Sequence, residues 1–309
     1  MSSFSNILVH VDTRAETNPG LDYAADLAKT NDARLKIVDV IPDFSWPVRL
    51  ATARYERVIE NLTQSKTQRL IELATPIEQQ GVAVQTKLVE GRSSVEIVRE
   101  VLRDKHDLVI RSAKGTHSRR SGFFGTTATR LIRKCPCPVL ILKAGQQCRC
   151  ERVVAAVNAT SDDELHAKLN EQIIRLAREM TTGGEPAVVD VWSIYGESIL
   201  KSHMQEDEFQ DLEERTEKHA EQLLAQLLTP FDIAVGGDNV HLLRGEAGAV
   251  IPKLVEKLDA DLLVMGTVAR AGVAGLLIGN TAEQILDRVE CSVLAVKPDD
   301  FVSPIRLSS

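Results

Sequence analysis

The 309-residue chain repeats itself, and no single motif constrains its fold as tightly as that repeat does. NILVHVD (6–12) recurs as RVVAAVN (152–158), displaced by 146 residues. HDLVIRS (106–112) returns as ADLLVMG (260–266), GTTATRLI (125–132) as GNTAEQIL (279–286), and CPVLILK (137–143) as CSVLAVK (291–297), each displaced by 154. The displacement grows by eight between these blocks, so the second copy carries an insertion, expected in the charged stretch 203–224. Two domains follow, 1–147 and 148–309, joined near AGQQCRCE (144–151).

Each copy alternates short apolar runs with helical patterns. In the first, strands are expected at 6–11, 35–41, 83–89, 107–111 and 138–143, and helices near 18–29, 50–80, 94–104 and 126–134. Asn18 before Pro19 makes a cap and first-turn pair, and Pro76 is expected to interrupt the long helix or end it early. Aromatics are only 4% of the residues, so the core must be aliphatic, which suits strands buried on both faces. Strands joined through helices imply right-handed crossovers and a parallel sheet with helices on both faces. Ligands of such sheets sit beyond the carboxyl ends of the strands, where the strand order reverses.

Charge and hydropathy exclude several classes of partner. A net charge of -7 argues against nucleic acid and membrane surfaces, which would repel the chain without a strong basic patch. No run approaches 18 apolar residues, and MSSFSNILVHVD enters a strand without a basic leader, so a cytoplasmic protein is expected. Five cysteines, an odd number, fit a reducing compartment. Cys135, Cys137, Cys148 and Cys150 form a C-x-C…C-x-C pattern; four thiolates suffice for a structural zinc site, but the spacing is not a standard zinc spacing, and metal-free thiols are expected.

The loop after the fourth strand carries the chemistry. In the second copy Gly266-Thr267-Val268-Ala269 is followed by nine residues and then Gly279-Asn280-Thr281. In the first copy Ser112-x-x-Gly115 is followed by nine residues and then Gly125-Thr126-Thr127. Small residues let backbone amides approach an anion, and a helix start presents N–H groups and a positive dipole end to the same place. Hydroxyls of Thr126, Thr127 and Thr281 and the Asn280 amide add donors. That is a phosphate cradle without a lysine. Neither G-x-x-x-x-G-K-[ST] nor G-x-G-x-x-G after a strand is present. The glycines alone would equally serve tight turns; their recurrence at one spacing favours a ligand. The first loop also holds Lys114, His117, Arg119 and Arg120, as a solvated tip or as the seat of a larger phosphorylated ligand.

These residues resemble the universal stress protein family, whose nucleotide motif is G-x-x-G, nine residues, then G-[ST]. The resemblance spans essentially the whole chain as two tandem Rossmann-like domains. It implies an α/β fold, each domain a five-stranded parallel sheet ordered 3-2-1-4-5, that often binds ATP or AMP, with Mg as an accompanying ion. By that resemblance the acid after the first strand falls on Asp12 and is replaced by Asn158. The main-chain contact to adenine falls at Val40 and Val191, and the loop contacts fall on Ser112, Gly115, Gly125 and Thr126, then Gly266, Ala269, Gly279 and Asn280. The implied role is stress endurance, including survival of DNA damage. Family members often dimerise through the last strand, which implies pairing of VLILK (139–143) with VLAVK (293–297) within this chain, with a homodimer as the other arrangement.

No catalytic residue can be nominated. The seven histidines form no constellation, and H-E-x-x-H and G-x-S-x-G are absent. A nucleotide-binding stress regulator is therefore expected, the alternatives being a weak Mg-dependent ATP hydrolase and a scaffold that binds no nucleotide.

Overall fold

The structure, a computed structural model, describes residues 4–43, 55–113, 124–143, 150–160, 164–267 and 279–307. The chain divides into two units. The first holds β1 (Asn6–His10), α1 (Pro19–Asn31), β2 (Arg34–Ile41), α2 (Tyr55–Gln79), β3 (Val84–Glu90), α3 (Ser93–Asp104), β4 (Leu108–Ser112), α4 (Gly125–Lys134) and β5 (Val139–Leu142). The C-terminal segment from Asp299 also belongs to it: Ser303 Oγ donates to the Lys134 carbonyl at 2.7 Å. A division of the sequence at the repeat boundary gives that tail to the second domain instead.

The second unit holds β6 (Val153–Ala156), α5 (Glu164–Met180), β7 (Ala187–Trp192), α6 (Glu197–His203), α7 (Glu206–Leu228), β8 (Val240–Arg244), α8 (Ala247–Lys257), β9 (Leu262–Gly266), α9 (Asn280–Leu286) and β10 (Ser292–Val296).

All strand pairs within each unit are parallel. β1 lies between β2 and β4, with β3 and β5 outside them, giving the order β3-β2-β1-β4-β5. β6 lies between β7 and β9, with β8 and β10 outside, giving β8-β7-β6-β9-β10. Each order reverses beside the unit's first strand, which creates a crevice at the carboxyl ends of β1 and β4, and of β6 and β9. The aliphatic runs are buried as their composition requires: Ile7, Leu8, Val9, Leu262, Leu263 and Val264 are inaccessible to solvent. β3 and β8, at one edge of each sheet, are half exposed.

Three local expectations need correction. Pro76 neither ends nor interrupts α2, which continues to Gln79. It stands in the last turn, where a missing N–H removes a single bond to the preceding turn. Asn18 occupies the cap position of α1 with Pro19 inside the first turn, but its side chain makes no capping bond; its carbonyl accepts from the Leu21 N–H at 2.8 Å. The added length of the second copy is not confined to the charged stretch. Strand registers pair Leu8 with Lys36 and Val154 with Ala187, so five of the eight added residues fall between β6 and β7.

Candidate functional site

The crevice of the second unit opens into a cavity of about 490 Å³. Ala156, Val157 and Asn158 reach it from the end of β6, Asp190 and Val191 from β7, and Met265 and Gly266 from β9. Gly279, Asn280 and Thr281 close it from the start of α9. His166, Leu169, Asn170 and Ile173 line it from α5, and Ala247 and Ile251 from α8. The size lies within the range of about 300–1,000 Å³ usual for small-molecule sites.

Of the sequence-nominated residues, Asn158, Val191, Gly266, Gly279, Asn280 and Thr281 thus surround one cavity. Thr267 does not line it. Its side chain is buried, donating to the Val296 carbonyl at 3.5 Å and accepting from Lys297 Nζ at 3.3 Å. Its carbonyl accepts from the Gly279 N–H at 3.4 Å, which ties the two ends of the loop together. Val268 and Ala269 lie outside the described residues, as do Gly115 and the basic cluster Lys114, His117, Arg119 and Arg120.

Gly279 takes an extended cap conformation, φ -60° and ψ 143°, ahead of α9. The first-turn N–H groups of a helix have no intrahelical acceptor, and here they border the cavity mouth. Asn158 is fixed by a side chain that the repeat alone did not single out. Asn170 Oδ1 accepts from the Asn158 N–H at 3.0 Å, and Asn170 Nδ2 donates to the Asn158 carbonyl at 2.9 Å. Both backbone groups are thereby satisfied, and the Asn158 side chain stays exposed at the mouth.

Asp190 was also missed. It is fully buried, Oδ1 accepting from the Val191 N–H at 2.9 Å. Its other oxygen, Oδ2, has no hydrogen-bond partner among the described residues. Burial pushes this carboxyl up to about 6, opposed by the Val191 N–H bond and by the nearby Ala159 N–H. A signal existed: IVDVI and VVDVW place an aspartate before Val40 and before Val191 in both copies.

At the corresponding positions the first unit carries larger, mutually bonded side chains. Ala156 and Met265 have His10 and Arg111 as counterparts, and Arg111 Nη1 donates to His10 Nδ1 at 2.6 Å. Burial, helped by the Arg111 charge, holds the His10 ring well below the usual imidazole range, so it is a neutral acceptor. Asp39, the counterpart of Asp190, forms a buried ion pair with Lys66. It also accepts from Thr13 Oγ1 at 2.6 Å and the Thr13 N–H at 3.1 Å. Asp12 is engaged by its neighbour. The Arg14 side chain holds it down to about 2, with Nη2 at 2.9 Å from Oδ2. Val40 is buried, and Ser112 Oγ accepts from the Gly20 N–H at 3.0 Å. Gly125 opens α4 at φ +69°, a left-handed conformation suited to glycine, followed by exposed Thr126 and half-buried Thr127.

Cys135 and Cys137 are buried with their sulfurs 3.5 Å apart, and Cys150 is buried; Cys148 lies outside the described residues. Among the described residues no group of three metal-ligating side chains converges, and no helix is long and apolar enough to cross a membrane.

Two parallel sheets of one strand order, each with a crevice bounded by the fourth strand and the helix after it, define a tandem Rossmann-like α/β protein. The chain belongs to the universal stress protein family, whose model matches residues 3–143 and again 151–297. It is 28% identical over 310 residues to universal stress protein E of Escherichia coli strain K12, covering 99% of this chain and 98% of that one. It is 26% identical over 316 residues to universal stress protein E of Photorhabdus laumondii, covering 99% of each. Among solved structures, a functionally unknown protein of Pseudomonas aeruginosa PAO1 superposes with a TM-score of 0.75 at 24% identity, over 97% of this chain and 95% of that one.

Proposed function

We propose that the second unit binds an adenine nucleotide, AMP or ATP, and that the first does not. The observation that carries this reading is the contrast between the copies. Ala156, Met265 and Asp190, which border an open cavity in one, have as counterparts in the other His10, Arg111 and Asp39, the last paired with Lys66. In this reading the base lies along Val191, the sugar near Asn158, and the phosphates at Gly279, Asn280 and Thr281. No lysine stands among the described wall residues, which leaves the phosphate charge to amides and hydroxyls, enough for binding. Mg, if carried in, would come with the phosphates.

The protein then acts in the cytoplasm as a stress-response regulator whose behaviour changes with nucleotide occupancy. Its part in DNA-damage resistance runs through that change, since a net charge of -7 disfavours direct contact with nucleic acid. The test is calorimetry of the full chain with AMP and ATP, wild type against Gly279→Val. A branched side chain at the cradle should weaken binding by about tenfold or more. Equal affinities would remove the cradle from the site, and no heat with the wild type would remove the nucleotide.

A further inference from the structure

The two copies treat one aspartate in opposite ways. In the first unit Asp39 Oδ2 meets the Lys66 ammonium and the Thr13 hydroxyl, and Lys66 Nζ also donates to Thr13 Oγ1 at 3.1 Å. A buried charge is held here as it must be, by an opposite charge and a hydrogen bond. In the second unit neither partner exists. The buried positions Lys66, Leu70 and Ala74 of α2 correspond to Ala220, Leu224 and Leu228 of α7, all three fully buried. Lysine has become Ala220, and Thr13 corresponds to Ala159. Asp190 thus keeps its place and its own-strand N–H bond while both side-chain partners are reduced to methyl groups.

A fully buried carboxyl oxygen without a partner is costly, and in a native fold it calls for an explanation. The cavity supplies one, because Asp190 is part of its wall. The wall it belongs to also carries buried apolar Ile173, Ile251 and Met265, whereas Asn158, Asn280 and Thr281 are exposed. A flat apolar ring with a single polar edge suits the deep part; a sugar and phosphates suit the mouth.

We propose that Asp190 sets the specificity of this cavity: its Oδ2 accepts an N–H from the bound base, taking the ligand's amino group where the first unit has its own lysine. The inference rests on the nucleotide reading above and sharpens it, selecting nucleotides whose base carries an exocyclic amino group. At neutral pH the group is largely ionised and can only accept, so a base edge without a donor leaves it unsatisfied. A site built for a donor rejects the analogue that lacks one.

The experiment compares AMP with purine riboside 5′-monophosphate, which lacks only the amino group, by calorimetry on the full chain. The wild type should prefer AMP by about tenfold or more, and Asp190→Asn, which presents a donor or a weaker acceptor, should lose most of that preference. A second variant guards against a folding defect at position 190. Ala220→Lys should rebuild the first unit's ion pair on Asp190 and abolish AMP binding while the circular dichroism spectrum stays native. Equal wild-type affinities for the two nucleotides, a preference that survives Asp190→Asn, or unchanged AMP binding in a folded Ala220→Lys protein would each overturn this inference and leave the cradle intact. Failure of the wild type to bind either nucleotide would overturn the nucleotide reading and this inference with it.

Discussion

Leu169 packs directly over Gly266: a methyl group built on that glycine would come within 2.8 Å of Leu169 Cδ2. The first unit reverses the sizes. There α1 brings Gly20 to the end of β4, and the strand offers Ser112, whose Oγ would lie 2.8 Å from a methyl on Gly20. Helix and strand end share one space, and the bulk sits on one side or the other. Ser112 in place of the family's leading glycine is therefore a packing exchange. Gly266→Ala should destabilise the second unit by about 1–3 kcal/mol through overpacking. Leu169→Ala in the same chain should return part of that loss, a coupling that urea denaturation of the two single variants and the double variant measures. Additive losses would mean the two residues do not compete for that space.

The Lys66–Asp39 pair makes a different kind of prediction. Both side chains are buried, so removing one partner strands a charge in the core. Burial alone would raise Asp39, but the bonds from Lys66 and Thr13 outweigh it and hold the carboxyl below its usual range. Lys66→Met should cost about 3–5 kcal/mol, and adding Asp39→Asn should recover much of it. Urea titration of the three proteins is the measurement. A mild effect of Lys66→Met would place the pair in solvent, contrary to its burial.

Asp190 gives a pH dependence of the opposite sign. Its folded value, about 6, lies above the ordinary 3.8, so the folded state holds the proton more tightly than the unfolded state does. The associated stability is complete below the ordinary value and is lost as pH rises through about 6, roughly 3 kcal/mol across the whole span. Asp190→Asn cannot ionise and should not show that loss. The wild type should therefore lose stability relative to the variant between pH 4.5 and 7, in the absence of nucleotide. Parallel stability profiles would show that this carboxyl is not desolvated.

Cys137 is a thiol pushed well above its usual range, first by its contact with Cys135 and then by burial. Neither sulfur should react with a thiol reagent until the first unit unfolds. Elemental analysis of protein prepared without chelator should find less than about 0.1 zinc per chain. A stoichiometric metal would restore the four-thiolate reading of Cys135, Cys137, Cys148 and Cys150.

What could be read from the sequence followed the repeat. Because HDLVI and ADLLV, or CPVLI and CSVLA, recur at one displacement, both sheets and the residues at their carboxyl ends were legible. Six of those residues border one cavity. What escaped depended on packing between elements far apart in the chain. Lys66 reaches Asp39 only because α2 crosses back over β2, and no local pattern distinguishes that lysine from its exposed neighbours. The Asn170 clamp on Asn158 has no counterpart in α1, where the chain has Leu21, so comparison of the copies gave no hint of it. Asp190 was visible as a repeated residue. Its meaning came from Ala220, whose lack of a side chain is informative only beside Lys66.

The aspartate that opens each fourth strand has a structural task that predicts its own test. Asp107 receives the start of β1: the Ser5 N–H donates to Oδ2 at 2.7 Å and the Asn6 N–H to Oδ1 at 3.0 Å. Asp261 does the same for β6, accepting at Oδ2 from the Glu151 N–H at 3.0 Å and the Arg152 N–H at 2.9 Å. Arg152 Nη2 adds a bond to Asp261 Oδ1 at 3.0 Å. These N–H groups precede or begin the central strand of each sheet, so without the carboxylate they must turn to water at the rim of the core. Asp107→Ala and Asp261→Ala should each cost about 1–3 kcal/mol and leave the cavity of the second unit unaltered. The ion pair with the exposed Arg152 should add little to the second value. Amide hydrogen exchange separates this clamp from a general loss of stability. In Asp107→Ala the Ser5 and Asn6 amides should exchange at least about tenfold faster while those at the centre of β4 change only by the global amount. Uniform acceleration across the first unit would show that Asp107 acts on the whole sheet and not on the start of its central strand.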